Sequence, residues 1–224
     1  MDVELRVSAG ADAARRGAAE AIAEAAARGR HIAVSGGSTP GPMYEVAARL
    51  EPDWSRTSLW FADERCVAPE DERSNYRLVR ERLLDRLERP PASEHRIRGE
   101  LPADEAADLY DDELRGVTLD FAVLGIGPDG HTASLFPNDP ALDELDRRAV
   151  AVARPDVDRV TMALPLLQAA ATVAFLAVGA DKADAIRRAF SDLPGPATPA
   201  SLVRSASGVT YVFLDRAAAE ALEA

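Results

Sequence analysis

An aspartate and a histidine separated by one glycine, Asp129 and His131, are the residues of this sequence best suited to acid–base chemistry. They end a glycine-rich segment, GIGPDGH, that follows the apolar run LDFAVL. A carboxylate beside an imidazole holds its tautomer and raises its pKa, which is the usual arrangement of a general base or acid. The segment therefore predicts a proton-transfer site, with a structural histidine in a turn as the alternative. His31 and His95 have no such surroundings, and we expect both to be structural.

A second glycine-rich segment could bind an anion. It follows the apolar run HIAV and contains Gly36, Gly37, Ser38 and Thr39. Glycines let the backbone approach an anion closely, and a following helix presents free N–H groups and the positive end of its dipole. The segment is not a Walker A loop, because no Gly-Lys-Ser/Thr follows, and Pro40 stands where a nucleophile elbow needs glycine. It predicts a phosphate-binding loop, with a plain capped turn as the alternative.

Charged residues lie beside three further apolar runs. Asp63, Glu64 and Arg65 come directly after LWFA, at a strand end where burial without partners would be costly. Taken alone, these three residues are expected to be solvated, and the alternative is that they face a polar site. Arg159 opens the run RVTMALP, and Lys182 stands at the start of a predicted helix.

Lys182 is the single lysine of the chain, and the other 25 basic residues are arginines. A lone lysine suggests a position that needs a compact ammonium rather than a planar guanidinium, unless it is a surface residue retained by chance. A lysine at a helix N-terminus opposes the helix dipole, which a bound anion would compensate. The net charge is −12. Salt screens that charge beyond ~8 Å, so Arg65, Arg159 and Lys182 could still form a local cationic site with the amides of residues 36–39.

Short apolar runs alternate with helical patterns along the chain. Strands are predicted at Val3–Val7, His31–Val34, Leu59–Ala62, Leu119–Leu124, Val150–Val152, Thr172–Val178 and Val209–Leu214, and Arg159–Leu164 is predicted as a strand running into a short helix. Helices are predicted at Ala11–Arg28, Pro42–Leu50, Ser74–Leu87, Asp181–Phe190 and Ala217–Leu222. The alternation predicts one α/β domain, residues 1–224, with a mostly parallel sheet and helices on both faces. Ligands bind beyond the carboxyl ends of such strands, where the polar segments lie.

Composition excludes several classes of protein. Apolar residues make up 47% of the chain, which is enough to rule out intrinsic disorder, and the acidic charge argues against a nucleic-acid partner. The single cysteine, Cys66, allows no internal disulfide or cysteine-based zinc site, and without a paired histidine it is not expected to be a nucleophile. No ligand cluster calls for a metal. The N-terminus is too polar for a signal peptide and no apolar run reaches about 18 residues, so we expect a cytoplasmic protein without a membrane partner.

A match to GxGxxG at Gly125, Gly127 and Gly130 raises the question of a dinucleotide cofactor. In that motif the glycines open a long helix, but Pro137 stops the segment that follows His131. We therefore expect no nicotinamide cofactor.

Six segments, in order, resemble the motifs of the 6-phosphogluconolactonases: SGGSTP, FADERCV, SNY, GIGPDGHTASLFP, RVT and VGADK. The likeness covers most of the chain, and GIGPDGHTASLFP is its most specific part. The family is expected to have a modified Rossmann-like sheet, shared with glucosamine-6-phosphate deaminases and ribose-5-phosphate isomerases. The resemblance implies hydrolysis of 6-phospho-D-glucono-1,5-lactone to 6-phosphogluconate in the pentose phosphate pathway, without a redox cofactor.

The resemblance also implies a role for each candidate residue. His131 matches the catalytic histidine of the family, and Asp129, Asp63 and Arg65 match polar active-site positions. The positions that match phosphate-binding residues are Gly36, Gly37, Ser38, Thr39, Arg159 and Lys182. The sequence leaves open whether Asp129 or Asp63 orients the imidazole.

Two other functions remain as alternatives. The deaminases resemble DGHIAFNEP in this segment, with a glutamate five residues past the histidine, and Phe136 stands at that position here. The missing carboxylate favours the lactonase. A sugar-phosphate-sensing domain of a regulator lacks support, because 224 residues leave no room for a separate DNA-binding module. We expect a small phosphosugar lactone as the partner, no nucleic acid, and a monomer or small homo-oligomer.

Overall fold

Two β-sheets and their surrounding helices make up the computed structural model, which describes residues 2–222. The strands are β1 (Asp2–Ser8), β2 (His31–Val34), β3 (Ser58–Phe61), β4 (Asp63–Arg65), β5 (Ser93–His95), β6 (Phe121–Leu124), β7 (Ala149–Val152), β8 (Arg159–Met162), β9 (Thr172–Ala177) and β10 (Val209–Asp215). The helices are α1 (Ala11–Ala27), α2 (Pro40–Leu50), α3 (Asn75–Arg82), α4 (Ala103–Glu113), α5 (Leu164–Gln168), α6 (Ala183–Phe190) and α7 (Arg216–Ala219). No helix within residues 2–222 combines the length and the apolar character needed to cross a bilayer.

The larger sheet is parallel throughout, with strand order β1-β10-β9-β6-β2-β3-β5. The chain builds outward from β2 to β3 and β5, and then returns to the other side of β2 with β6. The sheet therefore has its topological switch point between β2 and β6, where ligands of open parallel sheets bind. The ladder between these strands ends at Ala33–Ala122, and beyond it the Ser35 hydroxyl donates to the Val123 carbonyl at 2.9 Å. The predicted mostly parallel sheet is confirmed.

Both faces of the sheet centre are covered. All four residues of β6, Phe121–Leu124, are buried, although alternate side chains of a strand point to opposite faces. α1 contributes the cover on one face, where it packs on β10, β9 and β6. Apolar runs without polar alternation are typical of such doubly covered strands, which is why they could be predicted from the sequence.

A smaller antiparallel sheet, with strand order β4-β8-β7, corrects the expectation of a single sheet. The runs at Val150–Val152 and Arg159–Leu164 do form strands, but they pair with each other and with β4 instead of joining the parallel sheet. Ala62 separates β3 from β4 and bonds to both sheets, since its N–H donates to Val34 and its carbonyl accepts from Met162. Burial patterns do not show which partner a strand pairs with.

Three elements have no counterpart among the predictions: β4, β5 and α4. α4 buries Ala106, Ala107 and Tyr110, and two small residues make a weak helical pattern. The predicted helix Ser74–Leu87 is shorter than expected, because α3 ends at Arg82 and a separate 3-10 turn follows. Ser74 caps α3 as expected, with its side chain accepting from the Arg77 N–H. The predicted helix Ala217–Leu222 is also divided, because α7 ends at Ala219 and a 3-10 turn covers Glu220–Leu222. The other predicted helices and strands are confirmed with small shifts of their ends.

Tyr44 of α2 holds the start of the loop that follows β2. Its hydroxyl donates to the Ser35 carbonyl at 2.7 Å and accepts from the Ser35 N–H at 3.1 Å. Tyr44 and Ser35 are both buried, and burial raises the pKa of the Tyr44 hydroxyl well above its usual value. The hydroxyl thus satisfies a backbone donor and a backbone acceptor where the sheet ladder has ended.

We predict that Tyr44→Phe destabilises the protein by ~1–3 kcal/mol, because it leaves buried polar groups of Ser35 without partners. Urea unfolding would measure the change. Tyr76→Phe is the matched control, since Tyr76 is only partly buried and its hydroxyl makes no hydrogen bond within residues 2–222. Equal stability of the two variants would show that the Tyr44 hydroxyl does not support the loop.

Candidate active site

Loops from four adjacent strands, β3, β2, β6 and β9, meet at the carboxyl ends of the parallel sheet. They line one cavity of about 190 Å³. The sequence-predicted residues that line it are Gly36, Gly37, Ser38, Thr39, Asp63, Arg65, His131 and Lys182. The structure therefore brings together residues that are far apart in the sequence, at the switch point where a ligand is expected.

The imidazole of His131 is held by Asp129. Asp129 Oδ1 lies 2.6 Å from His131 Nδ1 and also accepts the His131 backbone N–H at 3.1 Å. Burial alone would raise the pKa of Asp129, but the backbone N–H and the ring of His131 outweigh it and lower that pKa. An ionised carboxylate accepts only, so Nδ1 carries a proton and Nε2 is left to accept one. Of the two carboxylates that the sequence left open, Asp129 is the one that contacts the ring.

Gly127 and Phe136 confine the same ring. A Cβ on Gly127 would lie 2.1 Å from both Cε1 and Nδ1 of His131, so only glycine leaves room for the imidazole. The ring of Phe136 lies 4.8 Å from the His131 ring, centroid to centroid. The position that carries a glutamate in the deaminase pattern thus presents an apolar ring to the imidazole.

Asp63 is buried beside the cavity and is fully partnered. Only 6% of the Asp63 residue surface is exposed to solvent. Ser134 Oγ donates to Oδ2 at 2.6 Å, and Asn75 Nδ2 donates to Oδ1 at 3.0 Å. The expectation that the charges after LWFA are solvated is wrong for Asp63, because donors from two other segments compensate its burial.

Glu64 is buried as well, at 2% exposure, but it does not line the cavity and instead binds the first turn of α3. Its carboxylate accepts the backbone N–H groups of Asn75 and Tyr76, each at 2.7 Å, and the Ser74 hydroxyl at 3.0 Å. Burial raises the pKa of Glu64, and the backbone donors oppose that shift. Glu64 therefore fixes the SNY segment against β4.

Asn75 is the site residue that sequence reasoning missed. Its Nδ2 donates to the side chain and the carbonyl of Asp63, and its Oδ1 accepts from Arg65 Nη1. A Cβ on Gly36 would lie 1.7 Å from that Oδ1, so the glycine-rich loop packs directly on the amide. Asn75 thus joins three segments of the cavity wall. The SNY motif marked its position in the sequence, but its partners are set by tertiary contacts.

The three candidate cations take different places. Arg65 and Lys182 line the cavity, whereas Arg159 does not. Arg159 is the direct partner of Arg65 in the β4–β8 ladder, and its guanidinium pairs with Asp156 at 2.6 Å. Burial and the charge of Arg65 lower the pKa of Arg159. Lys182 is 17% exposed in its side chain and lies 3.3 Å from Asp181, at the N-terminus of α6 as expected.

Several other groups lie outside this chemistry. Burial raises the pKa of the Cys66 thiol to about 11, so it is not a thiolate at neutral pH. His31 Nδ1 accepts from Trp60 Nε1, and His95 stacks on Trp60 with ring centroids 3.8 Å apart, so both are structural as expected. Within the described part of the chain, no group of three or more His, Cys, Asp or Glu side chains is arranged to hold a metal.

A larger groove of about 540 Å³ lies between α1 and the sheet, toward the amino ends of the strands. Its arginines are paired with acidic neighbours, Arg28 with Glu24 and Arg30 with Asp120. It is lined by neither a histidine nor the glycine-rich loops. Size alone therefore does not identify the functional cavity.

The switch-point loops and the parallel sheet define an α/β protein of the Rossmann-like class. The family model described as glucosamine-6-phosphate isomerases/6-phosphogluconolactonase matches residues 5–212. A 6-phosphogluconolactonase of Homo sapiens is 39% identical over 214 residues, which cover 88% of this chain and 83% of that protein. The chain belongs to the glucosamine-6-phosphate isomerase/6-phosphogluconolactonase family.

Solved structures agree with this assignment. The crystal structure of a 6-phosphogluconolactonase from Thermotoga maritima is 28% identical with a TM-score of 0.80, and the alignment covers 96% of this chain and 99% of that one. A monomeric glucosamine-6-phosphate deaminase has a TM-score of 0.85 at 20% identity, with 99% and 100% of the two chains covered. That second likeness shows the fold alone, so the residues of the site have to distinguish the activities.

We predict that Gly127→Ala displaces the His131 ring and weakens its hydrogen bond to Asp129, because the new Cβ would overlap the ring. NMR of the imidazole would show loss of the downfield Nδ1 proton. Gly125→Ala is the control, since a Cβ there meets nothing within 4 Å and neither glycine has a left-handed φ. Retention of the signal in Gly127→Ala would contradict the described packing.

Proposed function

We propose that this chain hydrolyses 6-phospho-D-glucono-1,5-lactone to 6-phospho-D-gluconate, a reaction of the oxidative branch of the pentose phosphate pathway. Relatives named 6-phosphogluconolactonase, including one from Haemophilus influenzae at 34% identity, support this substrate. The observation that carries the proposal is the Asp129-held imidazole in a cavity that it shares with a glycine-rich loop and Lys182. A base and an anion site in one cavity suit a phosphorylated ester.

In the proposed mechanism His131 acts first as a base and then as an acid. Nε2 takes a proton from water as the water oxygen adds to the C1 carbonyl of the lactone. Asp129 stabilises the imidazolium that forms. The same proton then passes from Nε2 to the ring oxygen as the bond between C1 and that oxygen breaks. The products are the open-chain hydroxyl and a carboxylic acid, which ionises in water.

The tetrahedral oxyanion needs donors, and Arg65 or backbone N–H groups of the cavity wall could supply them. Arg65 is held ready by hydrogen bonds from its Nη1 to Asn75 and to the Arg73 carbonyl. Its Nε is buried without a partner in the described residues. No redox cofactor takes part in this scheme, and no metal is required by it.

The phosphate is assigned to Gly36, Gly37, Ser38, Thr39 and Lys182, and Arg159 adds positive charge from behind Arg65. Binding energy from this remote group orients the reacting carbonyl, which is how a non-reacting part of a substrate contributes to rate. α2 begins at Pro40, directly after the loop, so its N-terminal dipole adds to the same attraction.

Deamination of glucosamine 6-phosphate is the second enzymatic candidate, since a deaminase shares the fold. The apolar contact of Phe136 with His131 argues against it, because that position offers no carboxylate for ring opening. Sugar-phosphate sensing without turnover is the non-enzymatic candidate. Binding without turnover requires no proton transfer, so it would not explain the hydrogen-bonded Asp129–His131 pair.

We also propose one domain, a cytoplasmic location and action as a monomer or small homo-oligomer, without a nucleic-acid or membrane partner. A single hydrophobic cluster that runs from Ala14 to Ala219 supports the single domain.

Replacing His131 with alanine is expected to lower kcat by at least ~100-fold, the usual worth of acid–base catalysis. The assay is lactone hydrolysis at a pH where the spontaneous rate is small. His95→Ala is the control, because His95 stacks on Trp60 outside the cavity. Near-normal hydrolysis by His131→Ala would remove the imidazole from the mechanism. Ammonia release from glucosamine 6-phosphate by the wild type, or binding of a phosphosugar without turnover, would instead favour one of the other two functions.

Lys182→Ala is expected to raise KM with little change in kcat, because the ammonium contacts the remote phosphate and not the reacting carbonyl. Lys182→Arg keeps the positive charge but replaces the compact ammonium with a planar guanidinium, so its KM should lie between those of the wild type and Lys182→Ala. Steady-state kinetics with the lactone would measure both. An unchanged KM in Lys182→Ala would take this residue out of the phosphate site.

A further inference from the structure

We propose that Arg188 is a positioning residue for the Asp129–His131 pair, an inference that rests on the proposed lactonase function. Arg188 lies in α6 and does not line the cavity. Its Nη2 donates to the Pro128 carbonyl at 2.9 Å, and its Nη1 donates to the Asp129 carbonyl at 3.1 Å. One guanidinium thus holds two successive carbonyls of the turn that carries the catalytic pair.

The turn is held from outside by Arg188 and also by the Ala200 N–H, which donates to the Gly130 carbonyl at 3.0 Å. Its internal hydrogen bonds run from the Gly127 N–H to the His131 carbonyl and from the Gly130 N–H to the Gly127 carbonyl, each at 2.9 Å. Within residues 2–222, Arg188 is the only donor to the carbonyls of Pro128 and Asp129. The Asp129 side chain is half exposed, so little packing fixes it. Its orientation toward the imidazole therefore depends on how firmly its backbone is held.

Arg188 is itself fixed at both ends. Its Nε donates to Asp184 one turn earlier on α6, at 2.8 Å, and its Nη1 also donates to Thr198 Oγ1 at 3.2 Å. The planar guanidinium of Arg188 can donate to α6 and to the turn at the same time, and the ammonium of a lysine could not reproduce this geometry.

The position of α6 gives the contact a further consequence. Lys182, which lines the cavity, immediately precedes this helix, and Arg188 lies near its other end. One short rigid element therefore sets both the proposed phosphate contact and the backbone of the catalytic turn. The distance between the phosphate and the base is thereby fixed, and such orientation is worth a large part of a rate enhancement.

The test compares Arg188→Ala with Arg187→Ala. Arg187 is the matched control, because it lies on the same helix and pairs with Asp184 and Asp192 without touching the turn. We expect kcat of Arg188→Ala to fall by roughly 10- to 100-fold with KM nearly unchanged, since misplaced catalytic groups cost that much. Arg187→Ala should keep both constants. Added guanidinium ion should restore part of the lost kcat in Arg188→Ala and leave Arg187→Ala unaffected.

Equal kcat in the two variants would overturn the proposal, and so would a loss that guanidinium ion does not restore in folded Arg188→Ala. If Arg188→Ala does not fold, Arg188→Lys is tested in its place, because it keeps the positive charge. A reduced kcat at unchanged KM in Arg188→Lys would support the proposal, and a wild-type kcat would refute it. The Nδ1 proton of His131 provides a readout that does not need activity. Its NMR signal should weaken in Arg188→Ala and persist in Arg187→Ala. A wild-type protein without lactonase activity would refute the proposed function, and this NMR comparison would then decide the positioning role by itself.

Discussion

The hydrogen bond between Asp129 Oδ1 and His131 Nδ1 is the interaction on which the rest of the site depends. It is short, at 2.6 Å, and charge-assisted, so it sets the tautomer and leaves Nε2 as the atom that can exchange a proton in the cavity. The surrounding structure serves this contact. The buried strand β6 places the turn at the switch point, Gly127 leaves room for the ring, and the Phe136 ring lies beside it with centroids 4.8 Å apart.

A second constraint is the burial of charge beside the proposed phosphate site in an acidic protein. Asp63 and Glu64 are nearly inaccessible, and each is compensated by neutral donors from the SNY segment or from Ser134. Because their partners are neutral, these two carboxylates form no ion pair with Arg65 or Lys182 and do not neutralise those positive charges. Local cations can therefore attract a phosphate even though the chain carries −12 overall, because interactions inside a cleft strengthen as the effective dielectric falls.

Much of the fold was predictable because its signals are local. Continuous apolar runs such as Phe121–Leu124 mark doubly covered parallel strands, and the glycine-rich segments at their ends mark the cavity. The parts that sequence reasoning missed depend on distant partners. The antiparallel pairing of β4 with β8, the bridging of Asn75 and the reach of Arg188 from α6 all join segments whose proximity no local pattern encodes. The burial of Asp63 was misjudged for the same reason.

The most direct test of the central claim is a crystal structure of the protein with 6-phosphogluconate bound. We predict that the phosphate lies against the backbone N–H groups of residues 36–39 and the ammonium of Lys182. We also predict that the C1 carboxylate lies within about 3 Å of His131 Nε2, the reach of a hydrogen bond. A product whose phosphate lies elsewhere, or whose C1 end points away from the imidazole, would contradict the central claim.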